Sequence, residues 1–183
     1  MEDKTLPRRP VPKRPDTGWQ AWQATIGYIH QAYSADALLC LMAHRESGDI
    51  IWGASASWGH VIEIVDQQPS LALALYRLWV EVDTHHLTFD SLEAAARRPA
   101  NYDDDEWLDD DTQIAVDRLI SLVTQIFGTH WRIDITYKPV ATPDARVRAS
   151  LYAYGDDQPI EGHGPMLRDA CQTLYRSAAT YPK

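Results

Sequence analysis

Six residues near the C-terminal end, Arg132, Lys138, Arg146, Arg148, Tyr152 and Tyr154, gather guanidinium, ammonium and phenol groups within a short length of chain. Arginine forks pair with phosphate or carboxylate oxygens, and aromatic rings offer flat faces to bases or to cations. Whether these groups act together depends on the backbone beneath them. In "WRIDITYK" and "RVRASLYAY" apolar and polar residues alternate, as in strands buried on one side. If Ile133, Ile135, Val147, Ala149, Leu151 and Ala153 face a core, then Arg132, Asp134, Thr136, Lys138, Arg146, Arg148, Ser150, Tyr152 and Tyr154 share the opposite face. Three readings stand for such a face: an ordinary solvated sheet surface, contact with acidic protein, or contact with nucleic acid.

Other candidates carry less chemistry. "PMLRDACQTLY", Pro165 to Tyr175, sets Arg, Asp, Cys and Tyr at helical spacing, but Leu167, Ala170, Cys171 and Leu174 form one apolar stripe, so Cys171 is expected in a core. His85 and His86 follow Asp83, yet adjacent histidines on one loop rarely turn to the same ion, and no third His or Cys has metal-ligand spacing. His163 lies between two glycines and is a candidate catalytic residue only in a metal-dependent enzyme built around those three histidines. "GASASWG" lacks the spacing of a serine nucleophile elbow, and no phosphate-binding loop or dinucleotide fingerprint occurs. No catalytic residue, metal ligand or cofactor is expected. Cys40 and Cys171 lack the spacing of a disulfide framework and read as reduced thiols.

The elements that must position these groups follow from periodicity. Residues 1–15 hold four prolines among mostly polar and charged residues and read as an extended arm. Trp19, Trp22, Ile26, Ile29 and Tyr33 recur at three or four residues, predicting a helix. "ALLCLMAH" and "IIWGASASW", separated by "RESGD", predict a hairpin, and "HVIEIV" a third strand. Pro69 then opens a helix with the stripe Leu71, Leu75, Leu78, Trp79 and Val82. The order αβββα returns after residue 111: a helix stopped by Gly128, three short strands, and the helix after Pro165.

A shift of 96 residues places Gly59 on Gly155, Ile64 on Ile160, Pro69 on Pro165, Leu71 on Leu167, Ala74 on Ala170 and Leu78 on Leu174. The expected fold is therefore α+β: two αβββα repeats, 16–83 and 112–180, each a three-stranded antiparallel sheet with helices on one face, joined by an acidic linker 84–111 with a short helix. The layout resembles the double-stranded-RNA-binding domain, through the turn at Pro143 and Asp144, the turn at Gly155, Gly162 and Gly164 before the last helix, and Ala170 within it. The resemblance covers about 112–178 and, more faintly, 16–83. It implies that fold without its RNA grip, because Pro165, Met166 and Leu167, and Pro69, Ser70 and Leu71, stand where that family places phosphate-binding lysines.

The formal charge is −9, and residues 81–111, with eleven acids against two arginines, account for all of it. "NYDDDEWLDDDTQ" lacks the glycine and final carboxylate of a calcium-binding helix-loop-helix and suits the start of a helix, capped by Thr112 or an Asp. No apolar run is long enough to cross a bilayer and no secretory signal begins the chain, so a cytoplasmic protein is expected. These features predict a non-catalytic protein-interaction or assembly module, with the seven tryptophans as large contact groups. Its partner would be another protein or a second copy; nucleic acid held by Arg132, Lys138, Arg146, Arg148, Tyr152 and Tyr154 is the alternative, and a metal enzyme the third.

Overall fold

The stripe Trp19, Trp22, Ile26 and Ile29 winds into α1 (Gly18–Tyr33) and is buried along its length in the computed structural model. Residues 17–33, 36–85, 107–153 and 158–181 are described below. The Pro-rich arm, most of the acidic linker, His86, Tyr154 and Gly155 lie outside them.

Ser47 and Gly48, both with positive φ, close the hairpin between β1 (Ala37–Glu46) and β2 (Asp49–Trp58), as a two-residue loop requires. β3 (Val61–Gln68) pairs with β2 through an irregularity between Trp52 and Ala54. The Ser70 hydroxyl then accepts the Leu73 amide at 3.2 Å, capping α2 (Leu71–His85). In the second half Asp109 caps α3 (Asp110–Phe127), accepting both the Thr112 amide and its hydroxyl at 2.8 Å. β4 (Trp131–Tyr137), a 3-10 turn at Pro143–Ala145, β5 (Val147–Ala153), β6 (Ile160–Gly164) and α4 (Leu167–Ala179) follow.

One expectation is corrected here. The strands form not two three-stranded sheets but one antiparallel six-stranded sheet in the order β3-β2-β1-β4-β5-β6. β1 and β4, which would each be a bare edge in a separate sheet, pair from Leu39 opposite Tyr137 to His44 opposite Arg132. Joining them satisfies a row of amides and carbonyls and removes two exposed edges. The register sets Leu41 against Ile135, and both are buried, so the apolar faces of the two halves become one continuous surface.

The four described helices cover that surface, α1 over β1, α2 over β2 and β3, α3 beside β4, and α4 over β5 and β6. The core crosses the middle of the chain: Trp19 meets Tyr137 edge-on at 6.1 Å, and the Trp19 amide donates to the Trp107 carbonyl at 3.0 Å. Trp107 and Leu108, in the stretch expected to be linker, are buried, and the Trp107 ring occupies the space that a side chain at Gly18 would need. All seven tryptophans are buried, so the expectation that they supply contact groups is also corrected; their area holds the core together instead. Cys171 and Leu75 are both fully buried, and the thiol of Cys171 is pushed up to about 12 by desolvation.

Candidate interaction surface

The face of the sheet away from the helices has no described element over it. Strand alternation and register set its side chains in rows across all six strands. One row reads Ile64, Ser55, Cys40, Thr136, Arg148 and His163, from β3 to β6. The next brings Gly53, Met42, Asp134, Ser150 and Glu161 together, and a third brings Ile51, His44, Arg132 and Tyr152.

Its two halves differ in chemistry. Over β1 to β3 the face is mostly apolar or small, His44 and Asp66 apart: Leu38, Met42 and Ile51 are half-buried, while Ile62 and Ile64 are 64% and 68% exposed on a strand that ends the sheet. Over β4 to β6 it is charged, but the charges are matched. Arg132 donates to Asp134 at 2.9 Å, with its guanidinium carbon 4.9 Å from the centre of the Tyr152 ring. Arg148 bonds Glu161, and His163 lies 3.3 Å from the same carboxylate. The Arg148 hydrogen bond draws the Glu161 carboxyl below its ordinary range, whereas burial pushes Asp134 upward against the attraction of Arg132.

Of the six residues singled out by type and spacing, Arg132, Arg148 and Tyr152 thus share the face. Lys138 and Arg146 sit beyond the strand ends, where the Lys138 amide donates to the Arg146 carbonyl at 2.9 Å. Both are exposed at the β4–β5 connection, at the opposite end of the ladder from the Arg132–Tyr152 pair. Tyr154 lies outside the described residues. The partner missed from sequence was Glu161, whose orientation depended on "QPIEG" being a strand in register with β5. Alternation around the buried Gly162 was the signal that could have found it.

Cys40 lies in the first of these rows beside a depression of about 240 Å³ bordered by Met42, Ser55, Ile64, Arg132 and Asp134. Desolvation, with Asp134 adding to it, pushes its thiol up to about 11, leaving it protonated near neutrality. Among the described residues no three His, Cys, Asp or Glu side chains come together as metal ligands, and no helix is long and apolar enough to cross a membrane. No protein-family model, curated protein or solved structure matches this chain, so its surface chemistry has to be read from the residues themselves.

Proposed function

We propose that the chain is a protein-binding module whose open sheet face takes up a partner. The observation that carries this is the placement of Ile62 and Ile64, more than three-fifths exposed, beside Leu38, Met42 and Ile51 on a face that no described helix covers. Contiguous apolar surface of this kind, rimmed by polar groups, is a mark of interaction sites. The ion pairs over β4 to β6 supply a rim with orientation rather than a bare positive field. A second copy of the chain is the special case in which the partner is itself.

A duplicated origin is part of this reading. The two runs α1-β1-β2-β3-α2 and α3-β4-β5-β6-α4 repeat one order, and the strand sequence across the sheet mirrors about the β1–β4 seam. Leu71 and Leu167 are each the first buried residue of a helix entered from Pro69 or Pro165. What has diverged is the open face, apolar in the first run and charged in the second.

The test is a pair of variants, Ile62→Glu with Ile64→Glu, in the full chain. Both positions are exposed, so folding is expected to persist. Light scattering over a hundredfold concentration range reads self-association, and co-purification followed by direct titration of the identified protein reads a heterologous partner. Loss of either complex by at least tenfold in the double variant is expected. An unchanged complex would overturn this reading, and binding of nucleic acid that falls steeply with salt and with Arg132→Gln plus Arg148→Gln would replace it by the nucleic-acid one.

A further inference from the structure

On the other side of the molecule, the outer surfaces of α3 and α4 form a groove of about 780 Å³. The two helices lie side by side with their N-termini at the same end, since Arg168, in the first turn of α4, reaches Asp111, in the first turn of α3, at 3.3 Å. From that contact, seven residues along α3 lead to Arg118 and seven or eight along α4 to Tyr175 and Arg176, a rise of about 11–12 Å in each helix. Arg118 and Arg176 therefore line the groove at one level, from two different helices, with Gln172 and Tyr175 beside them.

The two ends of the groove are electrostatically unlike. Arg168 is held by Asp111 and lies 3.7 Å from Asp169, so that end is compensated. Arg118 and Arg176 form no ion pair among the described residues, and Asp117, the acid next to Arg118, is engaged by Gln113 at 2.8 Å instead. The groove's two carboxylates, Asp111 and Asp169, both lie at the Arg168 end, so in a chain with 26 acidic residues against 17 basic ones the far end presents two arginines with no groove-lining acid beside them. Arg176 in the last turn of α4 complements the helix dipole, but Arg118 lies in the middle of α3, where that effect has died away.

We propose that this end of the groove binds a phosphate monoester. One guanidinium fork satisfies a planar carboxylate; two forks carried on separate helices, with an amide and a phenol as further donors, match the three terminal oxygens of a tetrahedral dianion. The cavity is within the size range of small-ligand sites, and its exposed Ile114 and Tyr175 offer apolar surface to whatever carries the phosphate. This inference is independent of the sheet face, which lies on the opposite side of the core.

Equilibrium dialysis of the full chain against labelled inorganic phosphate, a phosphoserine pentapeptide and the same peptide with glutamate in place of phosphoserine tests it. Phosphate and phosphopeptide should be retained, with Arg118→Gln and Arg176→Gln each weakening binding by about tenfold or more, and Arg168→Gln by less than threefold. Tighter retention of the phosphopeptide than of phosphate assigns the ligand to phosphorylated side chains; comparable retention assigns it to a small free phosphate. Thermal melts of the exposed-site variants confirm an intact fold. No retention at millimolar phosphate, equal binding of the glutamate peptide, or retention indifferent to Arg118 and Arg176 would each overturn the proposal.

Discussion

The single thiol on the open face reports how dry that surface is. Desolvation raises Cys40 to about 11, and Asp134 adds to the rise. Its thiolate at pH 8 is therefore scarce, and the gain in intrinsic nucleophilicity offsets only part of the deficit, so alkylation should run about tenfold slower than for an unperturbed cysteine. Cys171, fully buried, should react only on unfolding. Mass spectrometry after timed iodoacetamide treatment checks both, and fast labelling of Cys40 would mean that the face is wetter than its neighbours imply. The carboxylates of the rim predict opposite responses to acid. Glu161, lowered by Arg148, contributes stability that is present above its unfolded-state pKa and lost as the pH falls through its folded value. Asp134, raised by burial, works the other way, gaining stability on protonation between its folded and unfolded values. In urea titrations between pH 7 and pH 3, Glu161→Gln should flatten the acid loss of stability, whereas Asp134→Asn should steepen it.

At the scale of elements, two short contacts decide whether the second half closes. Asp109 satisfies the Thr112 amide and hydroxyl at the head of α3, so Asp109→Ala should cost about 1–2 kcal/mol. Gly162 lets β6 approach α4 so closely that a Cβ there would run into the backbone at Ala170 and Leu174. Backbone cannot give way as a side-chain tip can, and Gly162→Ala should cost about 2–3 kcal/mol. Chemical denaturation with fluorescence detection measures both, and a neutral Gly162→Ala would show that α4 can ride outward. The helices and strands themselves were readable from sequence because their signals are local. The stripe of α1, the alternation of β4 and β5, and the Ser47-Gly48 turn all lie within a few residues of what they determine. The Arg148–Glu161 pair spans 13 residues and two strands, and its existence depends on register, which no local pattern fixes.

At the scale of the whole molecule, the seam between β1 and β4 is what turns two runs of αβββα into one sheet. Sequence reading missed it because β1 and β4 each look like a complete strand of a small sheet, and nothing in either run states what its outer edge will meet. The core offers a second tie: Trp19 contacts Tyr137 across the seam, and Trp107, from the stretch before α3, packs onto Gly18 and stands edge-on to Tyr76 at 6.0 Å. Neither half then owns all the surface it buries. The chain should unfold in a single cooperative transition, with tryptophan fluorescence and far-UV circular dichroism tracing the same curve. Fragments 1–95 and 96–183 made separately should each expose one edge of the seam and part of the shared core. They should therefore associate or remain loosely structured alone, and regain the spectrum of the whole chain when mixed in equal amounts. Trp107→Ala, which empties a site lined by the first half while changing the second, should lower stability by about 3–5 kcal/mol without splitting the transition. Two resolved transitions, or a fragment that melts cooperatively by itself, would show that the seam joins two independently stable units rather than completing one.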